Sequence, residues 1–127
     1  MLINAPLIVR EVQAAFDAYE RALMENDLDA LDALFWNSTF TVRFGPGQNL
    51  YGFEAIAAFR VARVGGSPKR SIFNTIITTF GTDFATATTE FQREGAAKPG
   101  RQSQNWVRMP EGWRVVSAHI SMLADGH

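Results

Sequence analysis

Ile8, Val12, Phe16, Tyr19 and Leu23 follow one another at spacings of four, four, three and four, which is one face of an α-helix. Arg10, Asp17, Arg21 and Glu25 take the opposite face. Pro6 suits a first helical turn, Asn4 is the expected cap, and Asn26-Asp27 breaks the helix. Asp27 can cap a short second helix whose stripe is Leu28, Leu31 and Leu34/Phe35. The period then changes to two. Residues 38–44 predict a strand ended by Gly45-Pro46-Gly47, and Asn49-Leu50-Tyr51-Gly52 predicts a short hairpin return. A third helix is predicted from Phe53 to about Arg63, with Ala55, Ile56, Phe59 and Ala62 inward. Beyond the Gly65-Gly66-Ser67-Pro68 loop the pattern is strands, at 71–80, 84–93, 101–109 and 113–122. Residues 124–127 are expected to fray.

Three helices followed by a long antiparallel meander predict an α+β fold in a single domain, residues 1–127. The natural closure is a cone: a curved, mainly antiparallel sheet wraps the N-terminal helices and leaves a pocket at its open end.

Composition removes several classes of function. The net charge is −1, without a basic block, so no nucleic-acid partner is expected. No stretch approaches the roughly 18 apolar residues of a membrane span. The N-terminus lacks a signal-peptide pattern, and a cytoplasmic location is expected. With no cysteine, thiolate and iron–sulfur chemistry is absent. One internal histidine and no clustered carboxylates argue against a metal site, and no cofactor is expected. The cations are lopsided, ten Arg against two Lys. Arginine favours planar, bidentate partners, so this leans toward small anions or interface ion pairs, although base-composition bias gives the same skew.

Arg43 stands in an apolar strand, Thr39-Phe40-Thr41-Val42-Arg43-Phe44-Gly45, where a permanent charge is costly without a partner. Alternation puts it with Thr39 and Thr41. It is either an edge arginine paired across the sheet with Glu90, or a clamp for a substrate carboxylate. Tyr19, on the apolar stripe, is either a core tyrosine or a proton donor at a pocket floor. Gln102, Gln104, Trp106 and Arg108 share one strand face and suit either a pocket lining or a wet dimer interface. His119 alternates with Trp113, Val115, Ser117 and Ser121, as a structural residue or a pocket hydrogen-bonding group. Glu90 is a candidate counter-charge for Arg43 or Arg70, and Arg70 a candidate second carboxylate contact. Ser103 has no adjacent base and is rejected as a nucleophile.

The segments Phe16–Leu23, Phe35-Trp36, Thr41–Gly45, Gly52–Ile56, Gly81–Ala85, Gly100–Arg108 and Gly112–Ser121 together resemble the AtzH-like family. That family takes in HpxZ-like oxalurate-catabolism proteins and lies within the nuclear-transport-factor-2-like (SnoaL-like, cystatin-like) superfamily. The resemblance implies a cone-shaped α+β fold and a homodimer formed through the sheet. It also implies a small anionic ureido or carboxylate substrate and a functional link to an amidase. One branch is a cofactor-independent decarboxylating amidohydrolase that converts 1,3-dicarboxyurea to allophanate. There, a tyrosine on the first helix and an arginine on the first strand are implicated in catalysis, and Tyr19 and Arg43 fill those positions. Two alternatives stay open: an acidic-metabolite-binding or accessory protein, and an isomerase or cyclase needing a pocket carboxylate, for which Glu90 is the only candidate.

Overall fold

The computed structural model describes residues 1–124. Three helices, α1 (Pro6–Glu25), α2 (Leu28–Leu34) and α3 (Phe53–Ala62), accompany six strands. The strands are β1 (Val42–Gly45), β2 (Gln48–Tyr51), β3 (Arg70–Phe80), β4 (Phe84–Arg93), β5 (Gly100–Met109) and β6 (Gly112–Met122). They form one mixed sheet in the order β2-β1-β6-β5-β4-β3. Only β1 and β6 run parallel, so the sheet is mainly antiparallel, as expected. Of the frayed tail expected at 124–127, residues 125–127 lie outside the described residues.

The predicted stripe on α1 is the buried one: Ile8, Val12, Phe16, Tyr19 and Leu23 all pack in the core. They meet Ala85, Ala87 and Phe91 of β4, Trp106 of β5, and Val115, Ala118 and Ile120 of β6. The helix ends where Asn26 turns left-handed, and Asp27 caps α2 by accepting from the Ala30 amide. Asn4 does not cap α1. Its side chain instead accepts from the Thr79 amide, tying the N-terminus to β3.

The strand predicted at 38–44 is shorter. Residues 38–40 turn, Phe40 is exposed, and pairing starts at Val42. A backbone bond from Gly52 to the Thr41 carbonyl draws the chain straight into α3.

Two departures place the site. In α3, Ile56 and Arg60 are buried while Ala55 and Ala62 are exposed, so the helix is rotated from the predicted face. In β6, Ser117 pairs with Asn105 but Val115 pairs with Trp106, leaving Val116 as the extra residue of a bulge. The bulge reverses the alternation. Trp113 and Val115 face the core before it, Ala118 and Ile120 after it, and His119 is turned outward.

The loop between α3 and β3 is fastened to the end of α1. Gly66 has φ +74°, and a Cβ there would press on the Asn26 side chain at 2.6–3.0 Å. The Lys69 ammonium donates to the Met24 carbonyl.

Candidate functional site

The concave face of the sheet holds an unusual concentration of arginine. Arg43 of β1 and Arg60 of α3 are 7% and 4% exposed. Arg70 and Arg93, from the paired ends of β3 and β4, and Arg63, just after α3, complete the group. Aromatic rings carry them. The Arg43 and Arg63 guanidiniums lie 5.1 and 5.0 Å from the Phe59 ring centre. Arg70 and Arg93 lie 4.5 and 5.3 Å from that of Phe91, and Arg60 lies 4.3 Å from that of Phe35. A ring face attracts a cation and costs no polar partner, so each cation keeps hydrogen-bonding capacity.

Two of the five have carboxylates. Glu20 takes Arg70 by two parallel bonds of 2.9 and 2.6 Å, and Gln102 accepts a third from it at 3.1 Å. Asp32 takes Arg60 at 3.2 Å. Arg43, Arg63 and Arg93 form no ion pair among the described residues.

Tyr19, 2% exposed, sits beside these cations with its ring 6.1 Å from that of Phe35. Burial pulls the Arg43 pKa down to about 10. Nearby Tyr19 opposes that fall, while Arg60, Arg63 and Arg93 add to it. Arg60 and Arg63 are also lowered, first by burial, with Tyr19 again opposing. Tyr19 is thus a close neighbour of all three guanidiniums.

The sequence-derived residues divide between the two faces. Tyr19, Arg43, Gln102 and Gln104 come together on the concave face. Arg70 joins them but is held by Glu20. Glu90 and His119 do not. Glu90 shares the outer face with Thr86, Thr88 and Gln92, where it accepts from Asn74 at 2.8 Å, so it is no counter-charge for Arg43 or Arg70. His119, carried outward by the Val116 bulge, packs edge-on against Phe44 in an outer groove with Ser103, Asn105 and Ser117. Arg108 leaves the cluster for Glu11 and Asp83. Sequence reasoning missed Arg60, Arg63 and Arg93. The signals were present: Ile56, Phe59, Arg60 and Arg63 fall at helical i, i+3, i+4, i+7 spacing, and Arg93 lies two residues beyond Phe91 on the same strand face.

Six buried nitrogens on this face have no acceptor among the described residues: Arg43 Nη1, Arg60 Nη2, Arg63 Nε, Arg93 Nε, Gln102 Nε2 and Gln104 Nε2. Buried polar atoms without partners are rare, and all six are donors. The matching ligand is rich in acceptors and negatively charged. No three His, Asp or Glu side chains gather into a metal-binding cluster among the described residues.

A model of the AtzH-like family matches residues 1–126. The chain belongs to the AtzH-like family. Two solved structures are similar to this AtzH-like chain throughout. A DUF3225-family protein from Pectobacterium atrosepticum is 52% identical with a TM-score of 0.93, over 96% of this chain and 95% of that one. A cystatin-like fold protein from Burkholderia xenovorans is 50% identical with a TM-score of 0.94, over 99% of both. A nuclear transport factor 2-like superfamily protein from Salmonella enterica, 24% identical, shares the fold with a TM-score of 0.77 over 95% of this chain and 94% of that one. No curated protein matches the AtzH-like chain. Among the described residues, no helix is long and apolar enough to cross a membrane.

Proposed function

We propose that this AtzH-like protein is a cofactor-independent enzyme acting on small ureido or carbamate diacids, with 1,3-dicarboxyurea as the substrate and allophanate as the product. The observation that carries this reading is the set of six unpartnered donors on the face that Tyr19 packs against, four of them on guanidiniums. Arg43 holds the substrate by a carboxylate, and Arg60 donates beside it while Asp32 fixes its orientation. The bond between nitrogen and the departing carboxyl carbon breaks, CO2 leaves, and the electron pair stays on nitrogen. Tyr19 gives that nitrogen its hydroxyl proton and recovers one from water. Arg43, Arg60 and Arg63 surround the phenolate formed in between, as preorganised positive charge where negative charge develops.

Purified protein is expected to release CO2 and allophanate from dicarboxyurea. Tyr19→Phe and Arg43→Ala should each lower the rate by roughly 10²–10³. Variants that turn the substrate over at the parental rate would sink the proposal. One observation favours a second reading, an acidic-metabolite-binding or accessory protein working beside an amidase: the carboxylates in the cluster, Asp32 and Glu20, are both committed to arginines, so no free carboxylate base is at hand among the described residues. Tight binding of diacids with no turnover, and copurification with an amidase, would support that reading. An isomerase or cyclase loses its only candidate base, because Glu90 is on the outer face.

A further inference from the structure

Gln102 and Gln104 are both buried, and each has one side of its amide engaged. The Gln102 carbonyl oxygen accepts from the Arg70 guanidinium at 3.1 Å, and that of Gln104 accepts from the Trp106 indole at 3.1 Å. Guanidinium and indole nitrogens only donate, so each amide must turn its oxygen toward them. A flipped amide would set donor against donor. Each NH2 group therefore points away from its holder, and neither Nε2 has an acceptor among the described residues.

The cross-strand neighbours do not supply those acceptors. Gln104 pairs with Ala87 and Ala118, and Gln102 with Thr89 and Ile120. Three of these four side chains carry no polar atom. The Thr89 hydroxyl is turned to β3, where it meets Thr75 at 2.7 Å and the Phe73 carbonyl at 3.2 Å. The two holders are themselves fixed. Glu20 grips Arg70 by two bonds, and Arg70 lies over the Phe91 ring, which fills the place a Cβ would take at Gly100. Trp106 is fully buried in the core.

This stretch differs electrically from the rest of the concave face. Glu20 and Arg70 cancel each other, and the amides and the indole are neutral, whereas Arg43 has no carboxylate among the described residues. A carboxylate set against two neutral amides would keep its charge uncompensated there. A carbonyl oxygen brings no charge and has two lone pairs, one for each donor. Gln102 and Gln104 stand two residues apart on one strand face, roughly 7 Å at the backbone, a spacing that long side chains can close.

We propose that Gln102 and Gln104 form a donor pair for a carbonyl oxygen of the ligand. Glu20, acting through Arg70, and Trp106 are the positioning residues that keep both NH2 groups turned toward it. This rests on the reading of the concave face as the substrate site. It leaves the ligand's charge to Arg43 and gives its uncharged oxygen a place of its own.

The test is a titration of the isotope-labelled full chain, following the side-chain NH2 signals by NMR, with Gln102→Met and Gln104→Met assigning them. The probes are ureidoacetate and pentanoate, monoanions of equal chain length that differ in the carbonyl. Both NH2 signals should move downfield with ureidoacetate and stay in place with pentanoate, and ureidoacetate should bind roughly tenfold more tightly. The Trp106 indole signal should shift upfield in Gln104→Met, where its acceptor is gone. The double variant Glu20→Gln, Arg70→Met should lose the Gln102 response and keep that of Gln104; retention of both would overturn the positioning role. If neither NH2 signal moves, or ureidoacetate binds no better than pentanoate, the donor pair is wrong although malonate binding through Arg43 stands. If wild-type protein binds neither ureidoacetate nor malonate, the concave face is not the substrate site and both proposals fall.

Discussion

Replacing Arg43 by methionine should make the free protein more stable while ending its response to diacids. Methionine keeps most of the apolar volume against Phe59 and removes the charge. The fall of the Arg43 pKa to about 10 corresponds to on the order of 3 kcal/mol of destabilisation carried by the charged form in the folded state. The folded protein gives up this proton before the unfolded chain does. The penalty is therefore full below about pH 10 and lifts as pH rises from there toward the ordinary arginine value. Against it stand the contact with the Phe59 ring, worth about 0.5–2 kcal/mol, and the space left by the missing guanidinium. A net gain of about 1–2 kcal/mol remains. With an unfolding entropy near 2.1 cal/mol/K per residue, Tm should rise by about 4–8 °C in this 127-residue chain. Thermal unfolding followed by circular dichroism at pH 7.5 and low salt measures this. Malonate at 100 times its Kd should stabilise the wild type by about 2.7 kcal/mol and leave the variant where it was. A variant that melts below the wild type in the absence of ligand would refute the reasoning, because Arg43 would then be satisfied within the protein and not held in reserve for an anion.

Glu20→Gln leaves Arg70, whose side chain is 2% exposed, without its counter-charge and should cost about 3 kcal/mol in urea denaturation. Arg70→Met added to it should recover most of that loss, and a failure to recover would mean that Glu20 acts otherwise than through Arg70. The homodimer expected through the sheet would bury the outer groove around His119, so His119→Glu should halve the mass seen by light scattering. An unchanged mass would place the interface elsewhere.

Local periodicity carried much of the architecture, because burial of one face is what creates it. The α1 stripe needed no tertiary knowledge, and it put Tyr19 inside. Alternation in β4 was legible too, but neither side is wholly apolar: Thr89 and Arg93 share the inward side with Ala85, Ala87 and Phe91, and Phe84 stands on the outer side with Thr86, Thr88, Glu90 and Gln92. Glu90 was placed wrongly for that reason, and Arg93 passed over. His119 was lost to the bulge at Val116, a one-residue event that nothing in a β-branched run announces. In α3, alanines all round the helix blurred its face and hid Arg60. The pairing of Glu20 with Arg70 joins residues 50 apart in sequence, beyond any local pattern.

Arg43, Arg60 and Arg63 come from one continuous stretch, β1 through the end of α3, whereas Arg70 and Arg93 come from the β3–β4 hairpin. Residues 64–69 join the two stretches, and Gly66 and Lys69 pin that connection to the end of α1. The connection therefore works as a ruler. Its length and anchorage set the gap between the two groups of cations, and so the distance that an anion bridging them would have to span. Adding or removing residues there would shift one group of cations against the other while leaving each guanidinium over its own ring.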